Sequence, residues 1–409
     1  MNVTAGIILL YCTATAVAIV TKGSRVPYTA ALLLAGMLLG GLHIVALPHL
    51  TKDLLFALVL PGLLFEAAYE LEWQELRENA WTIGVLAVPG VVVAIALTAL
   101  FLVGGSWIIG GEVVAWSTAL IFGGVISATD PVAVTALFRD VAAPRRLLVL
   151  VESESLFNDG TSIVFLTLLL AYFSGTAPSA STLLRGFVRI AGGGAVIGLV
   201  VGWLASHLRT RLNDAAIEIT LTTIAAYGAF VLAEQFHLSG VIATVVAGVV
   251  CGHSGRHHVM TAGTRVAVDS FWEWLSFALN SAVFLLLGAE LSGSVFVQEW
   301  RLVLLGALAV LVARAVVVGS VGLLLRRTRE RIPGAWSVVL VWGGLRGALS
   351  LVLALALPAD AGDRSMIVSL TAGTVMLSLL GQGTSMTVLL RRLGIIGGLH
   401  VPDKSGART

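Results

Sequence analysis

The sequence predicts an all-α polytopic membrane protein, and three observations lead to that prediction. Of the 409 residues, 57% are apolar and only 12% are charged, about half the charged share of an average soluble protein. The mean hydropathy is +0.97. The apolar residues also occur in runs of about twenty, which is the length that crosses a bilayer. This composition argues against a soluble enzyme, a nucleic-acid-binding protein or a disordered scaffold, because a soluble domain would expose large apolar patches.

We predict about thirteen transmembrane spans in a transmembrane domain over residues 1–392, followed by a short cytoplasmic tail over 393–409. The first span is expected to be a retained helix, because no Lys or Arg precedes it and a signal peptide begins with basic residues. The predicted spans, in order, are 3–20, 27–47, 53–71, 81–104, 113–138, 147–173, 183–206, 215–235, 239–252, 270–291, 302–325, 335–358 and 366–390.

The positions of Lys and Arg predict the orientation, since cytoplasmic loops carry an excess of these residues. With the N-terminus outside, most of the basic residues between spans fall in inside segments. The outside segments would hold only Lys52, Arg185, Arg301 and Arg364. We therefore expect a multi-pass protein of the plasma membrane with its N-terminus outside and its C-terminus in the cytoplasm.

The order of the spans predicts an internal repeat. Two six-helix units joined by one helix would start on opposite sides of the membrane, which is the inverted repeat of many secondary transporters. Span 5 contains Ser127-Ala128-Thr129-Asp130-Pro131, and span 12 contains Gly343-Gly344-Leu345-Arg346-Gly347. Pro131 and the glycines are expected to break these two helices mid-membrane, although Gly and Pro are common in membrane helices. Two breaks at matching positions would present carbonyls and helix ends to an ion.

Span 6 carries the densest group of polar residues, between Val151 and Gly160. Charges deep in a bilayer are costly and are therefore functional candidates. Ser155 and Asp159 lie four residues apart and share one helix face, and Glu154 and Asn158 share the adjacent face by the same spacing. Glu152 lies nearer the cytoplasmic end of the span, where we expect it to be solvated.

Three more ionisable residues lie deep within spans. Asp130 in the break of span 5 and Glu66 in span 3 are the other deep carboxylates. Arg346 is the cation of the broken span 12 and needs a partner. We predict that this partner is Glu154, because the broken helix should approach span 6. Four carboxylates run toward a predicted cytoplasmic loop and are assigned no site role, namely Glu70, Glu72, Glu75 and Glu78. Snorkelling or structural pairing is expected for the charged residues that lie near span ends or lack a motif, namely Glu234, Asp269, Glu273, Glu290 and Arg314.

The remaining motifs indicate little chemistry. No Gly-rich phosphate loop precedes a Lys-Ser or Lys-Thr pair, so ATP is not expected to drive the protein. His253, His257 and His258 fall in a predicted cytoplasmic loop. They could bind a metal or tune a response to pH, but a solvated loop is the favoured interpretation.

Two further patterns predict packing. Cys12 and Cys251 lie in apolar stretches and are expected to be buried thiols without a disulfide. Glycines at intervals of four residues predict close contacts between helices, and these are Gly36, Gly40, Gly194, Gly198 and Gly202.

The sequence resembles the monovalent cation:proton antiporter-1 family, which holds the NhaP-type bacterial exchangers and the eukaryotic sodium–proton exchangers. The resemblance covers nearly all of the transmembrane chain. Its most specific part is the Phe-Asn-Asp-Gly run of span 6 with the Glu and Ser that precede it. The matching runs are Leu64-Phe65-Glu66, Thr129-Asp130-Pro131, Glu154-Ser155-Leu156-Phe157-Asn158-Asp159-Gly160 and Gly343-Gly344-Leu345-Arg346-Gly347-Ala348.

The resemblance implies roles for these residues. Asp159 would carry either a cation or a proton, and Asp130, Thr129 and Ser155 would complete the cation site, with Glu66 nearby. The resemblance also implies a structural role for three residues. Glu154 and Arg346 would hold the side-chain amide of Asn158 in place. The family fold is a six-helix core domain that moves against a dimerisation domain in a homodimer.

The resemblance and the residues together predict a secondary active antiporter rather than an enzyme. It would exchange sodium, lithium or potassium for protons, serve pH and sodium homeostasis, and need no cofactor or nucleic acid. A hard cation prefers oxygen ligands of the kind these residues supply. Exchange should be electroneutral, because position 158 is an amide and the paired-aspartate relatives are the electrogenic ones. A cation-coupled solute symporter and a channel are the alternatives, but neither a large polar pocket nor a continuous polar lining is evident.

Overall fold

The computed structural model describes residues 3–22, 27–41, 55–110, 113–175, 179–209, 214–257, 261–290 and 299–395. All regular structure in these ranges is helical. The helices are α1 (Val3–Thr21), α2 (Tyr28–Gly41), α3 (Leu60–Glu70), α4 (Trp73–Glu78), α5 (Ala80–Ile109), α6 (Trp116–Ile126), α7 (Val132–Asp140), α8 (Arg145–Phe173), α9 (Ala180–Arg209), α10 (Ala215–Gln235), α11 (Gly240–His257), α12 (Ala262–Glu290), α13 (Trp300–Leu324), α14 (Gly334–Gly343), α15 (Ala348–Leu355) and α16 (Arg364–Arg392).

The helices have the length and composition of a multi-pass membrane protein. Within the described residues, seven helices are long and apolar enough to cross a bilayer by themselves. The α14–α15 pair, bent by 42°, also qualifies if it is taken as one span. Shorter apolar helices include α2, α6 and much of α11. The apolar runs of the sequence therefore become membrane-length helices.

Most predicted spans coincide with helices, and the differences have physical causes. The helix at the predicted span 270–291 is longer than predicted, because α12 already begins at Ala262. The predicted span 239–252 continues to His257, which corrects the expectation that His253 and His257 lie in a loop. A helix that packs on protein can extend beyond its apolar run. His258 and most of the predicted tail lie outside the described residues.

Two groups of helices make most of their contacts internally. We call α5–α8 and α13–α16 the site bundle, and α1–α3 and α9–α12 the flanking bundle. Within the site bundle, α13 contacts α5, α14 and α16, and α6 contacts α5, α8 and α16. Within the flanking bundle, α11 contacts α3, α9 and α10, and α12 contacts α2 and α3. Helix α8 lies at the boundary, because it also contacts α3, α9 and α11.

Small residues set the spacing within the flanking bundle, as the sequence predicts. A Cβ atom on Gly198 of α9 would lie 2.2 Å from the carbonyl oxygen of Ala243 in α11. A Cβ on Gly36 of α2 would lie 2.2 Å from the carbonyl oxygen of Leu285 in α12. These distances are far below van der Waals contact, so only glycine allows the helix backbones to approach this closely. The flanking bundle is accordingly tightly interlocked.

The two cysteines are free, as predicted, but only one of them is buried. Cys251 lies in a core of small and aromatic side chains on α3, α10, α11 and α12. Cys12 is exposed on the surface of α1, which corrects its predicted burial. Hydropathy reports that a residue lies in an apolar helix and does not say whether its side chain faces protein or lipid.

Candidate functional site

Two helix breaks cross inside the site bundle. The chain leaves the helix between α6 and α7, over 127–131, and again between α14 and α15, over 344–347. The backbone N–H of Asp130 donates a hydrogen bond to the carbonyl oxygen of Leu345 at 2.8 Å. The Ser350 hydroxyl donates to the carbonyl oxygen of Ala128 at 3.3 Å. The two predicted breaks therefore both exist, and they contact each other directly.

The glycines of the second break serve close packing. Gly347 has an extended backbone, with φ of −128°, so its conformation does not require glycine. A Cβ on Gly347 would, however, lie 2.2 Å from the Cβ of Asp130, and one on Gly344 would lie 2.0 Å from Nε of Arg314. We expected these glycines to break the helix. The structure shows that they leave room for the groups that cross the break.

Arg346 neutralises the end of α6. Its Nη1 donates to the carbonyl oxygens of Ser127 at 2.9 Å and Ala128 at 3.3 Å. These carbonyls follow the last turn of α6, where the negative end of a helix dipole has no partners within its own helix. The backbone N–H of Arg346 donates to the Ser378 hydroxyl at 3.1 Å. The guanidinium thus replaces the hydrogen bonds that the break removes.

The predicted ion pair between Arg346 and Glu154 is wrong, because Glu154 pairs with Arg314. The Arg314 Nη1 and Nη2 atoms donate to the two carboxylate oxygens at 2.9 and 2.8 Å. Both side chains are almost completely buried. Arg314 also donates from Nε to the carbonyl oxygen of Leu340, in the last turn of α14, at 2.9 Å. Its position halfway along the apolar helix α13 was the signal that the sequence offered and that we underestimated.

Asn158 belongs to this buried pair. Its amide Nδ2 donates to the Glu154 carboxylate, which is the contact that the family resemblance implies. Arg346 lies elsewhere, on the α6 carbonyls. The structural set at this level is therefore Asn158, Glu154 and Arg314, which link α8 to α13 and α14.

The polar face of α8 meets the first break. The backbone N–H of Thr129 donates to Oδ1 of Asp159 at 3.3 Å, and the Thr129 hydroxyl donates to the Ser155 hydroxyl at 2.9 Å. Oδ1 of Asp130 accepts the N–H of Val132 at 3.0 Å, at the start of α7. The structure thus brings together four of the predicted site residues. Thr129 holds Asp159 and Ser155 in position through its two donors.

Three of these four residues line a cavity of about 250 Å³ between the two bundles, and Ser155 lies behind them, hydrogen-bonded to Thr129. Asp130, Asp159 and Thr129 line it on the site-bundle side. Glu66 lines it from α3, so the fifth predicted residue shares the cavity but belongs to the flanking bundle. Within the described residues, no three His, Cys, Asp or Glu side chains converge as they would around a resident metal. The carboxylates of Asp130 and Asp159 lie on the site-bundle wall of the cavity, and that of Glu66 lies on the flanking-bundle wall.

The cavity lining also includes an ion cluster that the sequence did not reveal. Arg139 of α7 contacts the carboxylates of Glu70 on α3 and Glu152 on α8. All three residues line the cavity. Glu70 was expected to have no role and Glu152 to be solvated, but both are partners of Arg139. This cluster connects the two bundles beside the cavity.

Sequence and structure comparisons identify the family. A family model described as "Sodium/hydrogen exchanger, transmembrane" matches residues 8–392. The chain belongs to the sodium/hydrogen exchanger family. It is 38% identical over 379 residues to the low-affinity Na⁺/H⁺ antiporter NhaS1 of Synechocystis sp., covering 91% of this chain and 71% of NhaS1. It is 38% identical over 354 residues to the Na⁺/H⁺ antiporter NhaP of Pseudomonas aeruginosa, covering 84% of this chain and 81% of that relative.

The fold is also that of a solved member of this group. The sodium proton antiporter MjNhaP1 of Methanocaldococcus jannaschii, solved at pH 8, superposes with a TM-score of 0.78. The match covers 96% of this chain and 99% of MjNhaP1 at 19% sequence identity. The crossing breaks and the cavity of this exchanger therefore lie within a fold shared with MjNhaP1.

Proposed function

We propose that this protein is a secondary active antiporter that exchanges sodium, or another alkali cation, for protons. The observation that carries the proposal is the crossing of the two breaks. It places Asp159, Ser155, Asp130 and Thr129 together beside a cavity between two bundles. The names of NhaS1 and NhaP, which are similar over most of their length, support the same activity.

Competition for one carboxylate would couple the two ions. Burial disfavours the charged form of a carboxyl group, so bare Asp159 gains from binding either a proton or a cation. Asp159 and Ser155 would supply ligand oxygens to the cation, and Asp130 would add a second carboxylate. A bundle that moves only when its charge is compensated then exchanges one ion for the other. The gradient of one ion drives the other, so transport needs no cofactor.

The buried charges favour an exchange of one cation for one proton. At the crossing, the carboxylates are Asp130, Glu154 and Asp159, and the guanidinium groups are Arg314 and Arg346. With Glu66 of the flanking bundle protonated throughout the cycle, three negative groups and two positive ones leave one negative charge uncompensated. One sodium ion or one proton cancels it, so both loaded states carry the same charge. Net movement of charge per cycle would be zero.

We also propose the finer architecture. Thirteen spans would form two inverted six-helix repeats joined by one helix, with α6–α7 and α14–α15 as their broken members. The site bundle would be the moving core domain and the flanking bundle the dimerisation domain of a homodimer. The N-terminus would be outside and the C-terminus in the cytoplasm of the plasma membrane, where the protein would serve pH and sodium homeostasis.

Proton flux in reconstituted vesicles tests the proposal. Purified protein in proteoliposomes should change the lumenal pH when sodium, lithium or potassium alone is added, as reported by a trapped dye. A membrane potential clamped with valinomycin and potassium, with sodium as the test cation, should leave the sodium-dependent rate unchanged. A pH change that requires an organic solute would indicate symport, for which NhaS1 and NhaP give no support. A sodium-dependent pH gradient driven by the potential would contradict the 1:1 stoichiometry.

A further inference from the structure

The cavity has a second polar wall, on α12 of the flanking bundle. Ser276 and Asn280 of α12 line it together with Glu66 of α3, and Ser276 lies next to the Glu66 carboxyl group. Asn280 is 9% exposed. Asn280 and Ser276 are one helical turn apart, so they present their side chains on the same face. None of the sequence motifs pointed to either residue.

The amide oxygen of Asn280 is available to a ligand. Its Nδ2 donates to the Ser276 hydroxyl at 3.4 Å. Among the described residues, none donates a hydrogen bond to the amide oxygen, which is not among the fully enclosed atoms. An amide oxygen is a suitable ligand for a hard cation. Asn280 therefore lines the cavity with an amide oxygen that accepts no hydrogen bond from the described residues.

The wall is fixed to the flanking bundle. A Cβ on Gly288 of α12 would lie 2.2 Å from the carbonyl oxygen of Leu33 in α2, so the two helices interlock at that point. Ser281, next to Asn280, accepts or donates a hydrogen bond with the Tyr28 hydroxyl at 2.7 Å. Helix α12 cannot follow the site bundle without disrupting these contacts.

We propose that Asn280 and Ser276 are the stationary part of the cation site and act on one side of the membrane only. The inference rests on the proposed antiport. Hard cations collect about six oxygen ligands, more than Asp159, Ser155 and Asp130 provide as single ligands. In the conformation shown, Asn280 and Ser276 line the same cavity and would add two oxygen ligands to these three. When the site bundle carries the ion to the opposite side, both residues stay behind with the flanking bundle.

The proposal separates cations from protons. A proton on Asp159 forms a covalent O–H bond and needs no further oxygen ligands. Asn280 should therefore strengthen cation binding without strengthening proton binding. It should do so from the cavity side, where its amide can reach the ion.

Sodium-dependent proton flux in everted and right-side-out membrane vesicles tests the inference. Asn280→Ala should raise KM for sodium about tenfold, the equivalent of about 1.4 kcal/mol, in one vesicle orientation. KM in the other orientation and the maximal rate should remain within about twofold. Asn280→Asp keeps an oxygen at this position, so its KM should not rise. Ser281→Ala, on the same helix but hydrogen-bonded to Tyr28, is the matched control and should leave KM unchanged.

Each outcome decides a specific point. An equal rise of KM in both orientations would indicate a general distortion and would overturn the inference, as would an unchanged KM in both. A similar rise in the Ser281→Ala control would overturn it as well. Absence of sodium-dependent flux in the wild type would instead reject the proposed antiport itself.

Discussion

The two helix breaks look alike in the sequence but perform different tasks. The break over 127–131 contributes Thr129, which holds Asp159 and Ser155, and it contributes the carboxylate of Asp130. The break over 344–347 places no carboxylate at the cavity. It supplies the Leu345 carbonyl and the Arg346 guanidinium, both of which hold the first break in place. In the proposed mechanism, the first break takes part in ion binding and the second break holds the first in place.

Both breaks leave carbonyl groups without helical partners, and both are compensated in the same way. Each break ends a half-helix inside the protein, where its last carbonyls lose their partners. An arginine from a different segment compensates each of these ends. Arg346 contacts the carbonyls that follow α6, and Arg314 contacts the Leu340 carbonyl of α14. A guanidinium at a helix C-terminus also interacts favourably with the helix dipole. The two breaks thus explain why Arg314 and Arg346 are buried in the site bundle.

Removal of the central carboxylate should have the largest effect. Asp159→Asn keeps the shape of the side chain but cannot bear the negative charge that binds a cation or releases a proton. We expect sodium-dependent proton flux to fall to the level of empty proteoliposomes. Asp269→Asn, which replaces an exposed carboxylate outside the cavity, is the control and should retain flux. Wild-type flux from folded Asp159→Asn protein would show that Asp159 is not the carboxylate that carries the ions.

The buried ion pair that supports the second break should give the next largest effect. Removal of one partner of such a pair costs about 3–5 kcal/mol, so Arg314→Ala and Glu154→Ala should each lower the thermal stability of the purified protein strongly. The double variant should be far less destabilised than the sum of the two, because the interaction is shared. The same cycle with Arg346→Ala in place of Arg314→Ala should be closer to additive. Strong coupling of Glu154 to Arg346 alone would contradict the structure.

The sequence revealed the residues around the first break better than those around the second. Asp130, Asp159 and Glu66 stand out because ionisable groups in apolar runs are rare, and the spacing of four puts Ser155 on the face of Asp159. The partner of Glu154 depends on which helices are neighbours, and neither periodicity nor hydropathy contains that information. The bond from Asp130 to the Leu345 carbonyl is a backbone contact, which any residue type could make.

The fold was predictable to a similar depth. Hydropathy located the spans because bilayer thickness fixes the length of an apolar run. It did not reveal α4, whose six residues are too few to produce a span. It also placed the start of α12 too late, because the first turns of that helix are polar enough to resemble a loop. Orientation, repeats and dimerisation remain predictions.

Crowding at the contact between the breaks should affect activity more than stability. Gly347→Ala places a Cβ where it would lie 2.2 Å from that of Asp130, so one break must shift. We expect at least a tenfold loss of sodium-dependent flux, since misplacement by about 1 Å can cost a hundredfold in rate. Gly319→Ala, on α13, is the matched control because nothing lies within 4 Å of its Cβ position. Equal flux in the two variants would show that the contact is not needed for transport.

The shared site at the first break should appear as competition between the two ions. KM for sodium should fall as pH rises, by at most about tenfold per pH unit if a single proton competes, and then level off. The measurement uses equal pH on both sides of the vesicle membrane, so that no proton gradient contributes. The Arg314→Ala variant, if it retains flux, should show the same pH dependence, because the support residues bind neither ion. A KM that is constant between about pH 6 and 8 would indicate separate sites.

The smallest effect is expected at a helix end that belongs to neither break. Asp363 caps α16, since its carboxylate accepts the backbone N–H of Met366 at 3.1 Å and the Ser365 hydroxyl at 2.8 Å. These hydrogen bonds hold the pKa of Asp363 below its usual value of 3.8. A lowered pKa in the folded state means that the cap stabilises the protein above the unfolded pKa and that this stability is lost as pH falls through the folded pKa. Asp363→Ala should therefore cost about 1 kcal/mol at neutral pH, seen as a small decrease of Tm, and the difference from wild type should shrink below about pH 4. Helix α16 also carries Ser378, whose hydroxyl accepts the backbone N–H of Arg346 in the second break. An altered KM for sodium in Asp363→Ala would therefore show that the second break is coupled to this distant helix end. An unchanged KM would show that the cap affects stability alone.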